Sequence, residues 1–250
     1  MNEFPANKQN YNPTQPWPPQ AREGGWGSLQ AQTAAEATVA ERMSFVRKVY
    51  ALFFAATLFA IGGVALGFLF PEILMRPVVE HPYITLFVLL GGVMGAQAVR
   101  HVAGVNLLAL FGFTTLTGII ISPLMAMVAA TNPASIWQAG ILTVGIFGGL
   151  TAYVFISKKD FSFLRGMVTT GLIIVCLASL LNFFIVGSSA LMFAVSIAAL
   201  FLFSGFVLYD TSNIIRRYPT NEYIAGALDL YLDAFNIFLA LIRILNAGRR

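Results

Sequence analysis

Long runs of apolar residues, separated by short polar segments, make up most of the chain after residue 48. A helix needs roughly 20 apolar residues to cross the hydrocarbon core of a bilayer, and each run reaches or approaches that length. The run over residues 166–209 is too long for one helix, and Gly187-Ser188-Ser189 is the natural turn between two. The pattern therefore predicts seven transmembrane helices. The runs cover residues 49–70, 82–99, 102–130, 134–156, 166–209 and 224–246.

Small residues within these runs predict where helices approach each other closely. Glycines four residues apart leave room for a neighbouring backbone, and three runs contain such a pair. We expect the pairs to pack the bundle internally, with dimerisation as the alternative. Pro123 lies inside the third run, where its missing N–H predicts a kink. The glycine pairs are Gly63/Gly67, Gly91/Gly95 and Gly145/Gly149.

The composition agrees with a membrane architecture, since 58% of residues are hydrophobic, 10% are charged and the mean hydropathy is +0.77. So much apolar surface is typical of an all-α integral membrane protein and excludes an ordinary soluble domain. The net charge of +4 does not indicate nucleic-acid binding, because the cationic residues stand beside span ends without a basic, aromatic-rich patch. The lipid bilayer is therefore the predicted partner.

The first 44 residues differ from the rest of the chain. Residues 1–32 are rich in Pro, Gln, Asn and Gly and have little to bury, which predicts disorder. Residues 33–48 contain helix formers and end in basic residues, as in a lead-in helix lying at the membrane surface. No signal peptide is indicated. We therefore divide the chain into a polar cytoplasmic tail, residues 1–44, and a seven-helix membrane domain, residues 45–250.

Lys and Arg residues near the span ends predict the orientation, because cytoplasmic loops are enriched in them. Most lie on the side of the N-terminus, which we expect to be cytoplasmic, in the inner (plasma) membrane of a bacterial cell. Arg249 and Arg250 fall on the minority side with Arg76, so the last run either crosses fully or re-enters; we favour crossing. The majority side receives Arg42, Arg47, Lys48, Arg100, Lys158, Lys159, Arg165, Arg216 and Arg217.

The available residues exclude several catalytic chemistries. All lysines lie outside the predicted spans, so none can form a Schiff base within the membrane. Both histidines lie in loops and Cys176 is the only cysteine, which favours neither a zinc site nor a disulfide. Neither a GxSxG nucleophile elbow nor a Walker loop occurs. We therefore predict that the protein is not an enzyme and carries no cofactor.

The acidic residues in the predicted spans are Asp210, Asp229 and Asp233. A carboxylate at membrane depth costs roughly 2.5–3.5 kcal/mol, which makes each a functional-site candidate. Asp229 and Asp233 lie about 40° apart on one helix face, with Asn236 about 60° from Asp233 and Arg243 about 20° from Asn236. This polar ribbon predicts a helix face turned toward the bundle interior or a water-filled cavity.

Asp210 and Asp233 lie on consecutive spans joined by a short loop, so we expect them to be neighbours. Two carboxyl groups in a poorly solvated site do not both ionise readily and titrate as a unit. A shared proton would hold the helices together, and its loss would leave like charges that separate or attract calcium, which prefers carboxylate oxygens. Alternatively, a tyrosine, serine or arginine satisfies each carboxylate.

Asp229 is close to the loop and is expected to be hydrated. Arg100 is either a cationic neighbour of the pair or a loop charge.

The segments GFVLYDTSNII and ALDLYLDAFNIFLALIRIL, with TGIIISPLM and SFLRG, resemble the Bax inhibitor-1 family over about residues 45–246. The resemblance implies a seven-helix bundle with the last helix central. It also implies a pH-sensitive calcium leak, with the di-aspartyl pair falling on Asp210 and Asp233 and an arginine latch falling on Arg100. Calcium would be the permeant ion rather than a cofactor. Two residues depart from the family pattern: Ser212 stands where Gln is commoner, and Asp229 adds an acid beside the pair.

Two other functions compete with the calcium leak. An intramembrane aspartyl protease also places aspartates on consecutive spans, but here Tyr231-Leu232 precedes the second one in place of Gly-x-Gly. The main alternative is a regulatory membrane protein that does not transport, and that binds a membrane protease or a stress or cell-death regulator. The tail, residues 1–44, would carry that role.

Overall fold

The computed structural model describes residues 33–102 and 104–247, and all secondary-structure elements in these ranges are helices. Short turns of π or 3-10 type cover Pro71–Met75, Ser162–Leu164 and Asn182–Val186. The α-helices are α1 Val39–Leu69, α2 Arg76–Glu80, α3 Pro82–Val99, α4 Val105–Thr131, α5 Pro133–Ser157, α6 Arg165–Leu181, α7 Ser189–Arg216 and α8 Tyr223–Ala247.

Six helices in this part of the chain have the length and hydropathy needed to cross a membrane. They are α1, α3, α4, α5, the segment Ser162–Val186 that contains α6, and α7. Each corresponds to a predicted span, so the protein is a multi-pass membrane protein. Helix α8 has 25 residues and is also long enough, but it carries three charged residues and is not among the six.

The predicted turn at residues 187–189 is confirmed. Gly187 has φ +59, a left-handed conformation that glycine adopts without steric cost, and it ends the helical segment that follows α6. The Ser188 side chain then accepts a hydrogen bond from the Leu191 N–H at 3.3 Å and so caps α7. Two helices therefore occupy the long uncharged run, as its length requires.

Helix α1 begins earlier than the first apolar run. Thr38 and Glu41 form a capping box, and from there the helix continues unbroken through the predicted boundary at residue 45. The structure therefore differs from the predicted lead-in helix over residues 33–48, since residues 39–48 are the first turns of the spanning helix itself. The predicted disorder of residues 1–32 lies outside the described residues.

Glycine allows α1 and α4 to touch at the level of their backbones. A Cβ atom on Gly63 would overlap the Thr115 carbonyl oxygen, and one on Gly118 would overlap that of Ala60. The prediction of close packing is confirmed for Gly63/Gly67. It is wrong for the other two pairs, because a Cβ atom there would meet nothing within 4 Å in the described part of the chain. Those glycines are Gly91, Gly95, Gly145 and Gly149.

Pro123 lies inside α4, which continues through it. A proline has no N–H for the carbonyl four residues earlier, here that of Ile119. The Ser122 hydroxyl donates to this carbonyl at 2.7 Å, as serine does for freed backbone groups in membrane helices. Ser122 in turn packs so closely on Gly67 of α1 that a side chain there would collide with it.

Helix α8 is buried along much of its length and packs against α1, α4, α5 and α7. Leu230 and Ile237 are fully buried, whereas the other helices expose large apolar side chains such as Phe87 and Phe201. Because water would not solvate such residues favourably, those outward faces contact lipid. Asp233 of α8 therefore lies in the protein interior, away from these lipid-facing surfaces.

Candidate functional site

The carboxyl groups of Asp210 near the end of α7 and Asp233 in the middle of α8 lie close enough together to interact directly. Asp233 is only 3% exposed, and its Oδ2 atom has no nitrogen or hydroxyl partner among the described residues. Ionised carboxylates only accept hydrogen bonds, so a hydrogen bond between these two carboxyl groups would need one of them to carry a proton. The two residues predicted to be neighbours are therefore brought together, at the contact between the last two helices.

Asp229 lies one turn before Asp233 and has its own partners. The Tyr218 hydroxyl donates a short hydrogen bond to Asp229 Oδ2, and the Gln97 amide of α3 donates to Oδ1 at 3.3 Å. Asp229 is half-buried, so its hydration stays a prediction, but it also has two protein partners. The loop before α8 folds back and supplies one of them, the tyrosine.

Arg100 reaches this group indirectly. Its Nη1 atom donates to Gln97 Oε1 at 3.0 Å, and Gln97 in turn binds Asp229. In residues 33–102 and 104–247, no ion pair joins Arg100 to an aspartate. The sequence left two roles open for Arg100, a cationic neighbour of the aspartates or a loop charge. The structure supports the first role, with Gln97 between Arg100 and Asp229.

His101 continues the polar chain toward the surface. Its Nε2 atom accepts from Arg100 Nε at 3.0 Å, while Nδ1 lies 3.1 Å from Glu222 Oε1. With a neutral ring, these contacts place the proton on Nδ1, since one nitrogen must accept and the other donate. A continuous polar path therefore runs from the loop before α8 to the carboxyl group of Asp229.

Tyr218 is held in place by residues 33–37, which we call the N-terminal strap. The Ala34 N–H donates to the Tyr218 carbonyl at 2.9 Å, and Thr33 forms an isolated antiparallel bridge with Pro219. Arg42 of α1 secures the strap by donating to the carbonyl oxygens of Ala34 and Ala35, at 2.7 and 3.0 Å. Burial raises the pKa of the Tyr218 hydroxyl well above its usual value, as does the neighbouring Asp229. Tyr218 therefore stays a proton donor at physiological pH.

The remaining residues of the predicted ribbon do not join the site. The Asn236 amide donates to the Leu232 carbonyl of its own helix at 2.7 Å, and the Arg243 side chain is exposed. That the ribbon faces the bundle interior or a water-filled cavity therefore stays a prediction for Asn236, which is half-buried, and for Arg243.

Ser212, which departs from the pattern of the resembled family, has a structural partner. Its hydroxyl oxygen accepts a hydrogen bond from the Phe161 N–H at 3.1 Å and so joins the loop after α5 to α7. In the same loop, the Ser162 backbone N–H, with Arg217, holds the pKa of Asp160 below its usual range. The loop is thus fastened to the end of α7 that carries Asp210.

Two contributors to the site, Gln97 and Tyr218, are absent from the sequence-based prediction. Gln97 stands three residues before Arg100 and therefore on the same face of α3, a spacing that could have suggested it. Tyr218 carries no such signal, because its contact depends on how the loop between α7 and α8 folds. In the part of the chain described here, no three His, Cys, Asp or Glu side chains cluster.

Comparison with known proteins identifies the family of the chain. A family model described as "Inhibitor of apoptosis-promoting Bax1" matches residues 42–250. The chain belongs to this family. The match covers both helices that carry the aspartate pair, and it confirms the resemblance read from the α7 and α8 motifs.

Individual relatives of this Bax inhibitor family chain come from animals, fungi and bacteria. Protein lifeguard 4 of Mus musculus is 37% identical, over 85% of this chain and 89% of its own length. Bax inhibitor 1 of Schizosaccharomyces pombe is 34% identical, over 85% and 79%. An uncharacterized membrane protein of Vibrio cholerae is 45% identical over a shorter region, 54% of this chain and 61% of its own.

Proposed function

We propose that the protein is a pH-sensitive calcium leak channel whose gate is the contact between Asp210 and Asp233. The observation that carries the proposal is the close approach of these two carboxyl groups at the contact between α7 and α8, where Asp233 is 3% exposed. A structural role alone would be served by any neutral pair of side chains. A pair of acids has the additional property that its attraction depends on one proton.

The gate works by gain and loss of that proton. In the protonated state the shared hydrogen bond holds α7 against α8. When the proton leaves, two like charges remain in a site with little water, and they repel or recruit a cation. Calcium is the cargo best matched to two carboxylate oxygen donors, and protons are the regulating ligand.

Asp229, Gln97 and Arg100 form the latch on this gate. Arg100 supplies a positive charge at the end of α3, and Gln97 transmits its position to Asp229, one turn from Asp233. In this proposal α3 moves with α8 when the latch is closed. Release of the latch frees α8 to follow the separation of the aspartates.

The channel proposal includes an architecture. We place α8 across the membrane as the seventh span, at the centre of the bundle, with the N-terminus in the cytoplasm and the protein in the inner membrane. The burial of α8 against α1, α4, α5 and α7 supports its central place. The excess of Lys and Arg on the N-terminal side supports the orientation.

Calcium flux into liposomes tests the proposal. We expect the purified protein to pass calcium with a sigmoidal dependence on pH, and Asp210→Asn and Asp233→Asn each to flatten that dependence, because an amide does not titrate. Asp160→Asn is the matched control: it removes an acid from the loop beside α7, where the ion pair with Arg217 is exposed, and should leave the pH profile unchanged.

Three results would contradict the channel. One is calcium flux no greater than that of empty liposomes at every pH. Another is a pH profile that both asparagine variants keep. The third is an equal change in Asp160→Asn, which would mean that general surface charge, and no specific gate, sets the response.

A second candidate is a regulatory protein that binds a membrane protease or a stress or cell-death regulator without transporting ions. A related Vaccinia virus protein, 30% identical over 87% of this chain, is named "Golgi anti-apoptotic protein". That name favours the regulatory function. Deleting residues 1–31 separates the two functions. A regulator acting through its tail would lose partner capture, whereas a channel would keep its calcium flux.

A further inference from the structure

Basic side chains from three helices converge on one cleft at the end of the bundle where α1 begins. The cleft has a volume of about 680 Å³ and lies between the start of α1 and the ends of α5 and α7. Its cationic lining consists of Arg42, Arg47, Lys158, Lys159 and Arg216. Cations that serve only to orient the chain need not meet, so their convergence requires another explanation.

Acidic side chains do not neutralise this charge. Within the described ranges no Asp or Glu lines the cleft. The nearest acids along the chain make their contacts outside the cleft, Glu36 with Thr33, Glu41 with Thr38 and Asp160 with Arg217. The cleft therefore presents a concentrated positive field.

The contacts of the arginines preserve that field. Arg42 donates to backbone carbonyl oxygens of the N-terminal strap, and Arg216 donates to the carbonyl of Lys158. These acceptors are neutral, so they position the guanidinium groups without cancelling their charge. The cleft is thus built as an anion site, with two of its cations already held in place.

The cleft also has an apolar wall. Met43 of α1 and Phe155 of α5 line it and are 51% and 40% exposed. Ile156, next along α5, is 80% exposed and extends the apolar surface toward the region occupied by lipid. A free inorganic anion would make no use of this wall, whereas an amphiphile with an anionic head would use both surfaces.

We propose that this cleft binds an anionic glycerophospholipid of the adjacent leaflet, with its phosphate against the cations and an acyl chain along Phe155. The proposal rests on the cleft alone and holds whether or not the protein conducts calcium. A bound lipid would join α1, α5 and α7 at one end of the bundle. Its phosphodiester group carries the negative charge that no side chain lining the cleft supplies.

Native mass spectrometry of the full chain in detergent tests the assignment, with dioleoylphosphatidylglycerol and dioleoylphosphatidylcholine as probes. We expect several-fold more phosphatidylglycerol than phosphatidylcholine to stay bound. The variant R47Q/K159Q removes two cleft cations whose side chains form no hydrogen bond or ion pair with residues 33–102 and 104–247. It should weaken phosphatidylglycerol binding roughly tenfold and abolish the preference.

Two further variants separate the cleft from general charge. R47K/K159R keeps the charges and should bind as the unaltered chain does. R76Q/R165Q removes the same number of charges from outside the cleft and should keep the preference. Only variants whose thermal unfolding temperature matches that of the unaltered chain are compared. If R47Q/K159Q unfolds, the single variant K159Q is used in its place.

Several results would overturn the proposal. Equal retention of the two lipids by the unaltered chain would remove the anionic preference, and full binding by R47Q/K159Q would place the lipid elsewhere. An equal loss in R76Q/R165Q would reduce the effect to net charge. Displacement of phosphatidylglycerol by an equal concentration of inorganic phosphate would assign the cleft to a free anion.

Discussion

Tyr218 shows how one side chain outside the spans completes the site. Its hydroxyl donates to Asp229, and the strap holds its backbone. Since the pKa of this hydroxyl is raised, the folded state retains the proton more firmly than the unfolded chain does. Its contribution to stability is therefore complete below the ordinary tyrosine pKa of about 10 and is lost only as the pH rises beyond it.

Removing that hydroxyl has a predictable cost. In Tyr218→Phe the Asp229 carboxyl group loses a buried hydrogen-bond donor, which should lower the free energy of unfolding by about 1–3 kcal/mol. Unfolding in detergent micelles, followed by tryptophan fluorescence, measures the loss. Tyr83→Phe is the matched control, because Tyr83 is an exposed residue of α3, and it should stay within about 0.5 kcal/mol of the unaltered chain. Equal stability of the two variants would mean that Asp229 does not depend on Tyr218.

At the residue scale, the acidic residues of the site could be predicted from the sequence, but their hydrogen-bond partners could not. Asp210 and Asp233 could be predicted because a carboxyl group inside an apolar run is costly and must serve a purpose. Gln97 and Tyr218 could not, because neutral polar residues near span ends are common. Only the packing of α3 and of the loop before α8 selects these two as the partners of Asp229.

At the scale of elements, the contact between α1 and α4 depends on residues that have no side chain. Gly118→Ala would drive a Cβ atom into the Ala60 carbonyl oxygen, a backbone atom that cannot rotate away. The helices would have to separate, and we expect a loss of about 2 kcal/mol or more in the free energy of unfolding.

Gly112→Ala is the matched control for this substitution. Gly112 lies in the same helix, but a Cβ atom there would meet nothing within 4 Å in the described chain. Alanine is the better helix former, so this variant should be neutral or more stable by up to about 1 kcal/mol. Chemical denaturation of both variants in the same detergent compares them, and equal effects would refute the close contact.

The elements themselves were predictable to different degrees. The span over residues 82–99 coincides with α3, because proline begins it and a basic residue follows it. The start of α1 was missed, since a capping box can begin a helix well before its apolar part. The prediction of close helix packing was wrong for the glycine pairs outside α1, because small residues also occur on faces turned to lipid.

At the scale of the whole molecule, the proposed architecture depends on whether α8 crosses the bilayer. Its 25 residues span about 37 Å, more than the roughly 30 Å of hydrocarbon. If α8 crosses, cysteines placed at its two ends react with an impermeant maleimide from opposite sides. In a Cys176→Ala background, Asn221→Cys should label from the same side as Lys159→Cys, and Ala247→Cys from the other.

The same labelling can exclude the crossing. If Asn221→Cys and Ala247→Cys react from one side, α8 is re-entrant and the bundle has six spans. That result would also contradict α8 as one continuous helix over Tyr223–Ala247. The gate between α7 and α8 would need a different route for the ion.

The N-terminal strap sets a practical limit on how far the chain can be shortened. Thr33 and Ala34 are the residues that meet Pro219 and Tyr218, so the shortest fragment that keeps the contact begins at residue 33. Trimming a few residues further, as is often done to obtain crystals, would leave the loop before α8 without its backbone partner. Such a fragment would report the behaviour of a loosened acidic site, although every transmembrane residue would still be present.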